Sequence, residues 1–580
     1  MKINIRTALK MKLTFDTWQE CLSSFEIIDS DTNRNTPKRA CVLFKNIRSF
    51  KKWNIAPLTD LNILTGPNSS GKSTIASILS NLRKSKLKEF IQTSGDNNSG
   101  STFIGVSIDW NEYIKNNDDP ENHKSSIAWM HLIKIVEDFH KSKNANIDEE
   151  SKPKRITVIA ESKGEGWDLD FYAFIDQELV GFLSVVIDEL DYQDEIYFKI
   201  SPTYWEKIYD SKFCAKIKSE LNWTPQYKKT RDKHKLNKLI VGEQKIESPG
   251  YFLDIVNYFD FDLDNGPNIL FGENIKYLEE VSYALICINI IFMKPLKIIE
   301  KYSSDILPSL RPISTPKELQ YKFEIGSKDS TNVGNLKDTS NDVATSFRNL
   351  AEEIVNEKLN LQSYKLGSKN LKEVNYWLKE ILNDSHKLAF RYTSVDLLDK
   401  KHPWANSKKW KGSHLKNIFV DLFLYDSNKK ELGFNDVGTG ISQVLPVISS
   451  IINSDHLIFL QPELHLHPKA QTILGDLFIF AIQKNKDINV KHSGIPIRKI
   501  TIETHSEHLI LRLLRRIKEN NNKKSESMFS NKNLSLIYVN PQDKGSEVHW
   551  IRVDEYGEFV DVWPHGFFED RYEDLFFSTK

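Results

Sequence analysis

The apolar positions fall into short buried runs at both ends of the chain and into mixed patterns between them. Near the amino terminus, CVLFKNI (41–47) and LNILT (61–65) are apolar segments bounded by polar or turn-forming residues, which predicts two buried strands. STIASILSNLRK (73–84) then spaces its apolar residues at helical intervals. In the middle, STFIGVSIDW (101–110), RITVIAES (155–162) and WDLDFYAFI (167–175) read as strands. SDTNRNTPK (30–38), KNNDDPENHK (115–124) and SKDSTNVGN (327–335) read as polar loops. Long helices are predicted over about 270–300 and 340–384, with no sustained heptads and no repeat of fixed period. Toward the carboxyl end, IFVDLFLYD (418–426), HLIFL (456–460), RKITIET (498–504) and LSLIYVN (534–540) predict strands with helices between several of them.

This order predicts an α/β nucleotide-binding core split by a large α+β insertion. The expected divisions are an amino-terminal extension (1–40), a first lobe (41–115), a mixed, largely helical insertion (116–415) and a second lobe (416–580). A length of 580 residues exceeds what one core supports. Lys+Arg and Asp+Glu both total 79, so a globally basic nucleic-acid binder is not indicated. Four scattered cysteines, Cys21, Cys41, Cys214 and Cys287, suit a reducing cytoplasm and offer no zinc pattern. The longest apolar run, 281–293, is interrupted by Asn289 and falls short of the ~20 residues of a bilayer span. The basic residues at the start of the chain precede no apolar h-region, so no secretory signal is expected there.

The strand, glycine loop and helix over 61–84 enclose the densest chemistry. Gly66-Pro67-Asn68-Ser69-Ser70-Gly71-Lys72-Ser73 fits G-x-x-x-x-G-K-[ST]. Glycines let successive backbone N–H groups turn inward around phosphate oxygens, and a following helix adds its positive end. Lys72 is expected at the β- and γ-phosphates of ATP, and Ser73 on Mg²⁺ with Thr74 beside it.

Later segments match the remaining parts of such a site. In GFNDVGTGISQVLP (433–446), Gly438 and Gly440 precede a helix predicted to start near Ser442; the segment resembles the signature segment of OLD-like ABC-class ATPases, and that resemblance implies a helix N-terminus that meets a γ-phosphate across a dimer interface. HLIFLQPELHLHP (456–468) pairs an apolar strand with a following loop, and KITIETHSEH (499–508) ends a strand in Thr-His-Ser. The Thr-His-Ser ending resembles the switch-histidine loop of the same ATPases, which implies that His505 faces the γ-phosphate, and Ser506 is the candidate cap of the next helix. His465 and His467 alternate on what reads as a strand, but lack a third partner for a metal.

The wording GISQVLP, PELHLHP, ETHSEH and the ending DEYGEFVDVWPHGFF (554–568) resembles a family of prokaryotic OLD-like, SMC-like ABC-class AAA ATPases. That family carries a C-terminal WPxGFF domain of unknown function. LPSLRPISTPKELQY (307–321), with Arg311, is similar to a mid-chain segment of those proteins. The resemblance covers about half of the chain. It implies an ATPase head that dimerises around ATP and Mg²⁺, as a homodimer or larger oligomer. It also implies a place in anti-phage modules of the Septu type or with retrons, where the ATPase pairs with a separate HNH nuclease.

The chain departs from the pattern where hydrolysis is concerned. ABC-class sites usually carry two acids just before the proline; here Leu460 and Gln461 stand there. Leucine cannot hold a metal-bound water, and glutamine can orient water but not take its proton. Glu463 is the nearest carboxylate and the candidate replacement base. Slow hydrolysis is therefore expected. The residues after Ser506 hold no Glu plus Asp-x-Asp constellation and no HNH-like cluster stands out, so no nuclease of its own is expected. Two basic stretches with interleaved aromatics, 205–240 and 400–416, are candidate contacts to DNA or RNA. The rival readings are an SMC-like DNA-repair or chromosome-maintenance ATPase and a transporter ATPase subunit.

Overall fold

A computed structural model describes residues 12–30, 39–82, 90–91, 101–115, 153–162, 169–187, 193–200, 245–249, 291–292, 294–299, 302–309, 320–325, 331–335, 347, 350–351, 367–382, 386–396, 416–433, 436–453, 457–487, 499–522 and 529–563. The contacts divide the chain into two interleaved units: 1–59, 66–303 and 537–551 in the first, 60–65, 304–536 and 552–580 in the second.

The first unit is built on an antiparallel sheet. Its strands are β1 (Thr14–Phe15), β2 (Ala40–Lys45), β3 (Trp53–Leu58), β5 (Thr102–Asp109), β6 (Arg155–Ser162), β7 (Leu169–Ile175), β8 (Glu178–Ile187), β9 (Gln193–Ile200) and β10 (Lys245–Pro249), in the order β1-β3-β2-β5-β6-β7-β8-β9-β10. Val42 pairs with Ala56 on one side and Val106 on the other, and Val106 pairs with Val158. β2, β3, β5 and β6 are buried nearly throughout, so their side chains pack on both faces of the sheet. The helix after the glycine loop, α3 (Lys72–Asn81), also belongs to this unit, with Ile75, Ala76, Ile78 and Leu79 buried, as do α4 (Trp110–Lys115) and α5 (Lys294–Ile299). Ser303 Oγ donates to Ser80 O at 3.0 Å and fastens the end of that helix.

The expected extension is partly structured. Leu13, just before β1, and Cys21, Leu22, Phe25 and Ile28, on α1 (Trp18–Ser23) and α2 (Phe25–Ser30), are buried. Thr17 and Glu20 form a capping box that starts α1. Arg155 pins this region: its Nη2 donates to Asp29 Oδ1 at 2.7 Å and Arg39 O at 2.6 Å, and its guanidinium lies 4.8 Å from the Phe25 ring centroid. Burial pushes the Cys41 thiol up to about 11, so it packs as a small neutral hydrophobe.

In the second unit, β11 (Ile306–Leu307), β17 (Ile458–Leu460), β18 (Ile500–Glu503) and β4 (Leu61–Thr65) run parallel in that order. Leu460 pairs with Glu503, and Glu503 with Leu64, so three strands end level with one another. A second, antiparallel sheet has the order β13-β12-β15-β14, with β12 (Gln320–Ile325), β13 (Thr331–Asn335), β14 (Lys387–Asp396) and β15 (Lys416–Tyr425), and β16 (Glu431–Leu432) beside β15. β13 lies inside the polar run expected to be a loop; its ladder to β12, rather than its composition, makes it a strand.

Helices α6 (Gly367–Leu382), α7 (Thr439–Asn453), α8 (Pro468–Asp487) and α9 (Glu507–Asn522) complete this unit. Asn375 of α6 bonds both backbone groups of Leu388 on β14, at 2.9 and 2.7 Å. Asp476 of α8 receives Arg512 and Arg516 of α9, at 2.6 and 2.7 Å. The turn of the DEYGEF segment needs Gly557: φ is +74° and a Cβ would lie 2.3 Å from Leu514 O. Among the described residues no helix is long and apolar enough to cross a membrane.

Breaking a buried ion pair strands a charge, whereas removing both partners does not. Asp29→Asn should therefore cost about 3–5 kcal/mol, and Asp29→Leu with Arg155→Met considerably less. Denaturant midpoints of the three proteins compare the two costs; equal losses would remove the pinning role of this pair.

Candidate functional site

The glycine loop owes its shape to close backbone approaches. Gly66 has φ +137°, and a Cβ there would lie 2.4 Å from Val539 O. Gly71 has φ +106°, and a Cβ would meet Ser49 Oγ at 2.7 Å and the Phe50 ring at 2.9 Å. Ser69 is left-handed as well, at φ +59°. The loop is backed by two other turns of the first unit. Ser546 N donates to Ser49 O at 2.8 Å, and Ser546 Oγ to Ser70 O at 2.5 Å. Neither turn was anticipated from sequence; the one signal is Gly545, at φ +113° with a Cβ position 2.6 Å from Ser49 O.

Lys72 is buried, and its ammonium donates to Gly66 O at 3.1 Å and Pro67 O at 2.7 Å, which places it within the curl of the loop. Asn68, Ser69 and Ser73 are exposed, and Ser70 is buried with its hydroxyl lacking a protein partner. Thr74 is buried, and its N–H donates to Gly71 O at 3.0 Å, the first turn of α3. A curl of backbone with no room for Cβ atoms, a buried ammonium and an exposed serine at a helix start fit the phosphates of ATP and an associated Mg²⁺.

In the second unit, β17 stops at Leu460 and the chain turns sharply. Gln461 has φ +45° and donates its N–H to Glu503 O at 2.7 Å. Glu463 is buried, and its Oε1 accepts the His505 N–H at 2.9 Å. Gln471 of α8 joins the same two loops: its Nε2 donates to Leu466 O at 2.9 Å, and its Oε1 accepts the Ser506 hydroxyl at 2.6 Å. Ser506 Oγ in turn accepts Leu509 N at 3.0 Å, the cap expected for α9. Gln461, Glu463 and His505 thus belong to one hydrogen-bonded loop pair at the carboxyl ends of β17 and β18. One oxygen of Glu463 is committed to holding the loop that carries His505.

Two expectations are corrected. His465 and His467 do not alternate on a strand: 461–465 form turns, His465 is left-handed at φ +63°, and His467 caps α8 through its backbone and Nδ1. The turn wins because Gln461 already leaves the extended conformation at the end of β17. Among the described residues no metal-holding cluster of His, Cys, Asp and Glu occurs. The helix after the two glycines begins at Thr439 rather than near Ser442. Ile441 N bonds Gly438 O at 3.0 Å, so Gly440 and Ser442 lie in its first turn and Gly438 just before it. Gly438 is exposed, and a Cβ there meets nothing within 4 Å.

Sequence reading passed over Glu503. It lies at the carboxyl end of β18, 5% exposed, in register with Leu460 and Leu64. The residues 205–240, Arg311, residues 564–580 and 400–415 lie outside the described residues; Lys416, the last of the second basic stretch, begins β15.

The model of a family described as an AAA ATPase domain matches residues 42–510. No curated protein matches the chain. Among solved structures, the chain is similar to an SmcHead bound to the C-winged helix domain of ScpA, at 9% identity over 89% of this chain and 98% of that one, TM-score 0.34. A Smc head domain with an extended coiled coil, bound to the C-terminal domain of ScpA and derived from Pyrococcus furiosus, gives 11% identity, 89% and 97% coverage and TM-score 0.31. The SMC head domain from Thermotoga maritima gives 10% identity, 89% and 99% coverage and TM-score 0.30.

Gly66→Ala forces both a left-handed φ and a clash with a backbone carbonyl. Beyond the ~1–3 kcal/mol of a strained backbone site, the loop must shift away from Val539. ATP binding should fall at least as steeply as for Lys72→Ala, read by calorimetry on protein that still melts cooperatively. Wild-type affinity would show that the curl is not the phosphate cradle.

Proposed function

The chain belongs to the AAA ATPase domain family, and from that premise we propose that it is a slow ATPase whose nucleotide-bound state regulates or scaffolds a separate effector. The observation that carries this reading is the curl of 66–73 around the buried Lys72. ATP with Mg²⁺ supplies the phosphoanhydride bond and the charge to be neutralised. The residues of the chain divide the remaining work. The loop amides and Lys72 bind the phosphates, and the Ser73 hydroxyl faces the metal. Asn68, Ser69 and Ser70 shape the loop, and Thr74 anchors the helix behind it.

Gln461 orients water, His505 meets the γ-phosphate, and Glu463 holds His505 in place through its backbone. The α7 start offers the N–H groups of Gly438 and Gly440, with Ser442 in the same first turn, to the γ-phosphate held by a second copy, so the active unit is a homodimer or a larger homo-oligomer. With Leu460 and Gln461 in place of two acids, no strong base stands beside the attacking water. Loss of such a base lowers rates ~10²–10⁴-fold.

The wider role rests on the resemblance of the motifs and of the WPHGFF ending. In that reading the protein works in the prokaryotic cytoplasm in anti-phage defence, with an HNH-type nuclease as its effector. The stretches 205–240 and 400–416 contact DNA or RNA, and nucleic acid or nucleotide serves as the signal.

Lys72→Ala should abolish ATP binding, and wild-type turnover should fall below the ~1–10³ s⁻¹ of ordinary enzymes. A turnover within that range that disappears in Lys72→Ala would remove the slow-hydrolysis reading. Glu463→Gln keeps an oxygen for the His505 N–H, whereas Glu463→Ala does not. Steady-state turnover should therefore drop more in Glu463→Ala, and an equal, complete loss in both would make Glu463 the base instead.

A further inference from the structure

We infer that Gln471, a side chain of α8, is the positioning residue for His505 and makes the turns after β17 and β18 move as one; the inference rests on the slow-ATPase reading above. Every residue it needs lies in the second unit. Gln471 stands in the first turn of α8, where its own N–H donates to His467 O at 3.1 Å. Its side-chain amide spans the gap between two loops. Nε2 donates to Leu466 O at 2.9 Å, and Oε1 accepts the Ser506 hydroxyl at 2.6 Å. The direction of that amide is fixed by its neighbours. Ser506 Oγ already accepts Leu509 N at 3.0 Å, so its proton is what it has to give, and a carbonyl such as Leu466 O can only accept. A flipped amide would set oxygen against oxygen at Leu466.

This bridge closes a ring. From Leu466 the ring returns to Glu463 through the bond of Leu466 N to Glu463 O at 3.0 Å. Glu463 Oε1 accepts the His505 N–H at 2.9 Å, and His505 leads directly to Ser506 and back to Gln471. His505 is therefore held on both sides, by Glu463 at its own N–H and by Gln471 through the next residue. With one hold removed, the backbone at 505 can pivot about the other. The first turn is tied in the same way: Leu464 N bonds Gln461 O at 3.1 Å, and Gln461 N bonds Glu503 O at 2.7 Å. Gln461 and His505 thus take up their places together. That matters for a residue that orients water and one that meets the γ-phosphate, because a misplacement of ~1 Å can cost ~10²-fold in rate. A cap for α9 alone would not need Gln471, since Ser506 Oγ receives Leu509 N without it. Gln471 acts through His505 and Gln461, and no proton transfer is assigned to it.

The test uses the full-length protein in excess over radiolabelled ATP with Mg²⁺. Single-turnover hydrolysis over a range of protein concentrations separates the rate constant at saturation from the affinity. Gln471→Met keeps the length of the side chain and loses both hydrogen bonds. It should bind ATP as the wild type does and hydrolyse it about tenfold to ~10²-fold more slowly. His505→Ala should be slow too, and adding Gln471→Met to it should bring no further loss, because residues that act as a unit are not additive. Gln471→Glu keeps an acceptor for the Ser506 hydroxyl but offers no donor to Leu466 O. Its rate should lie between those of the wild type and Gln471→Met, and it serves where Gln471→Met does not fold. A wild-type rate in whichever variant folds overturns the inference. So does a loss that falls on affinity instead of rate, or one that adds in full to that of His505→Ala. If the wild type shows no hydrolysis that Lys72→Ala removes, or if His505→Ala hydrolyses ATP as the wild type does, the slow-ATPase reading has failed and the role of Gln471 falls with it.

Discussion

Everything proposed for this chain depends on one backbone junction, where β4 ends at Thr65 and Gly66 begins the loop. At φ +137°, with Val539 O where a side chain would start, Gly66 has one conformational route, and the loop that follows inherits its direction. The hydrogen bonds of 46–50 and 542–546 behind the loop keep that route fixed. Contacts of this kind hold the loop in one shape, and a preshaped loop lets N–H dipoles stabilise phosphate without the cost of ordering it on binding. The burial of Lys72 follows from the same geometry. Its ammonium is held by carbonyls of the loop in which it sits.

The second unit treats its chemistry in the same way, by tying loops rather than by placing side chains on strands. Glu463, Gln471 and Ser506 form a short relay of hydrogen bonds between the turn after β17 and the turn after β18. A displacement of either turn is therefore felt by the other, and His505 sits on the second of them. Parallel strands that end level, as Leu460, Glu503 and Leu64 do, give such turns a common starting line. This is the general reason that ligands of open parallel sheets collect at the carboxyl ends of the strands.

The core strands and the phosphate loop were legible because each signal is local. LNILT, RITVIAES and LSLIYVN are apolar runs of strand length, and their observed bounds coincide with the runs. Elements that depend on partners were not. β3 contains Pro57, which weakens a strand reading, yet β2 fixes it by pairing Cys41 with Pro57. β13 is polar and glycine-containing, and only its ladder with β12 makes it a strand. The two histidines after Pro462 read as alternating because spacing alone cannot reveal that Gln461 adopts a left-handed turn. The start of α7 moved forward by one turn because a helix tolerates Gly440 once Gly438 has supplied the first carbonyl.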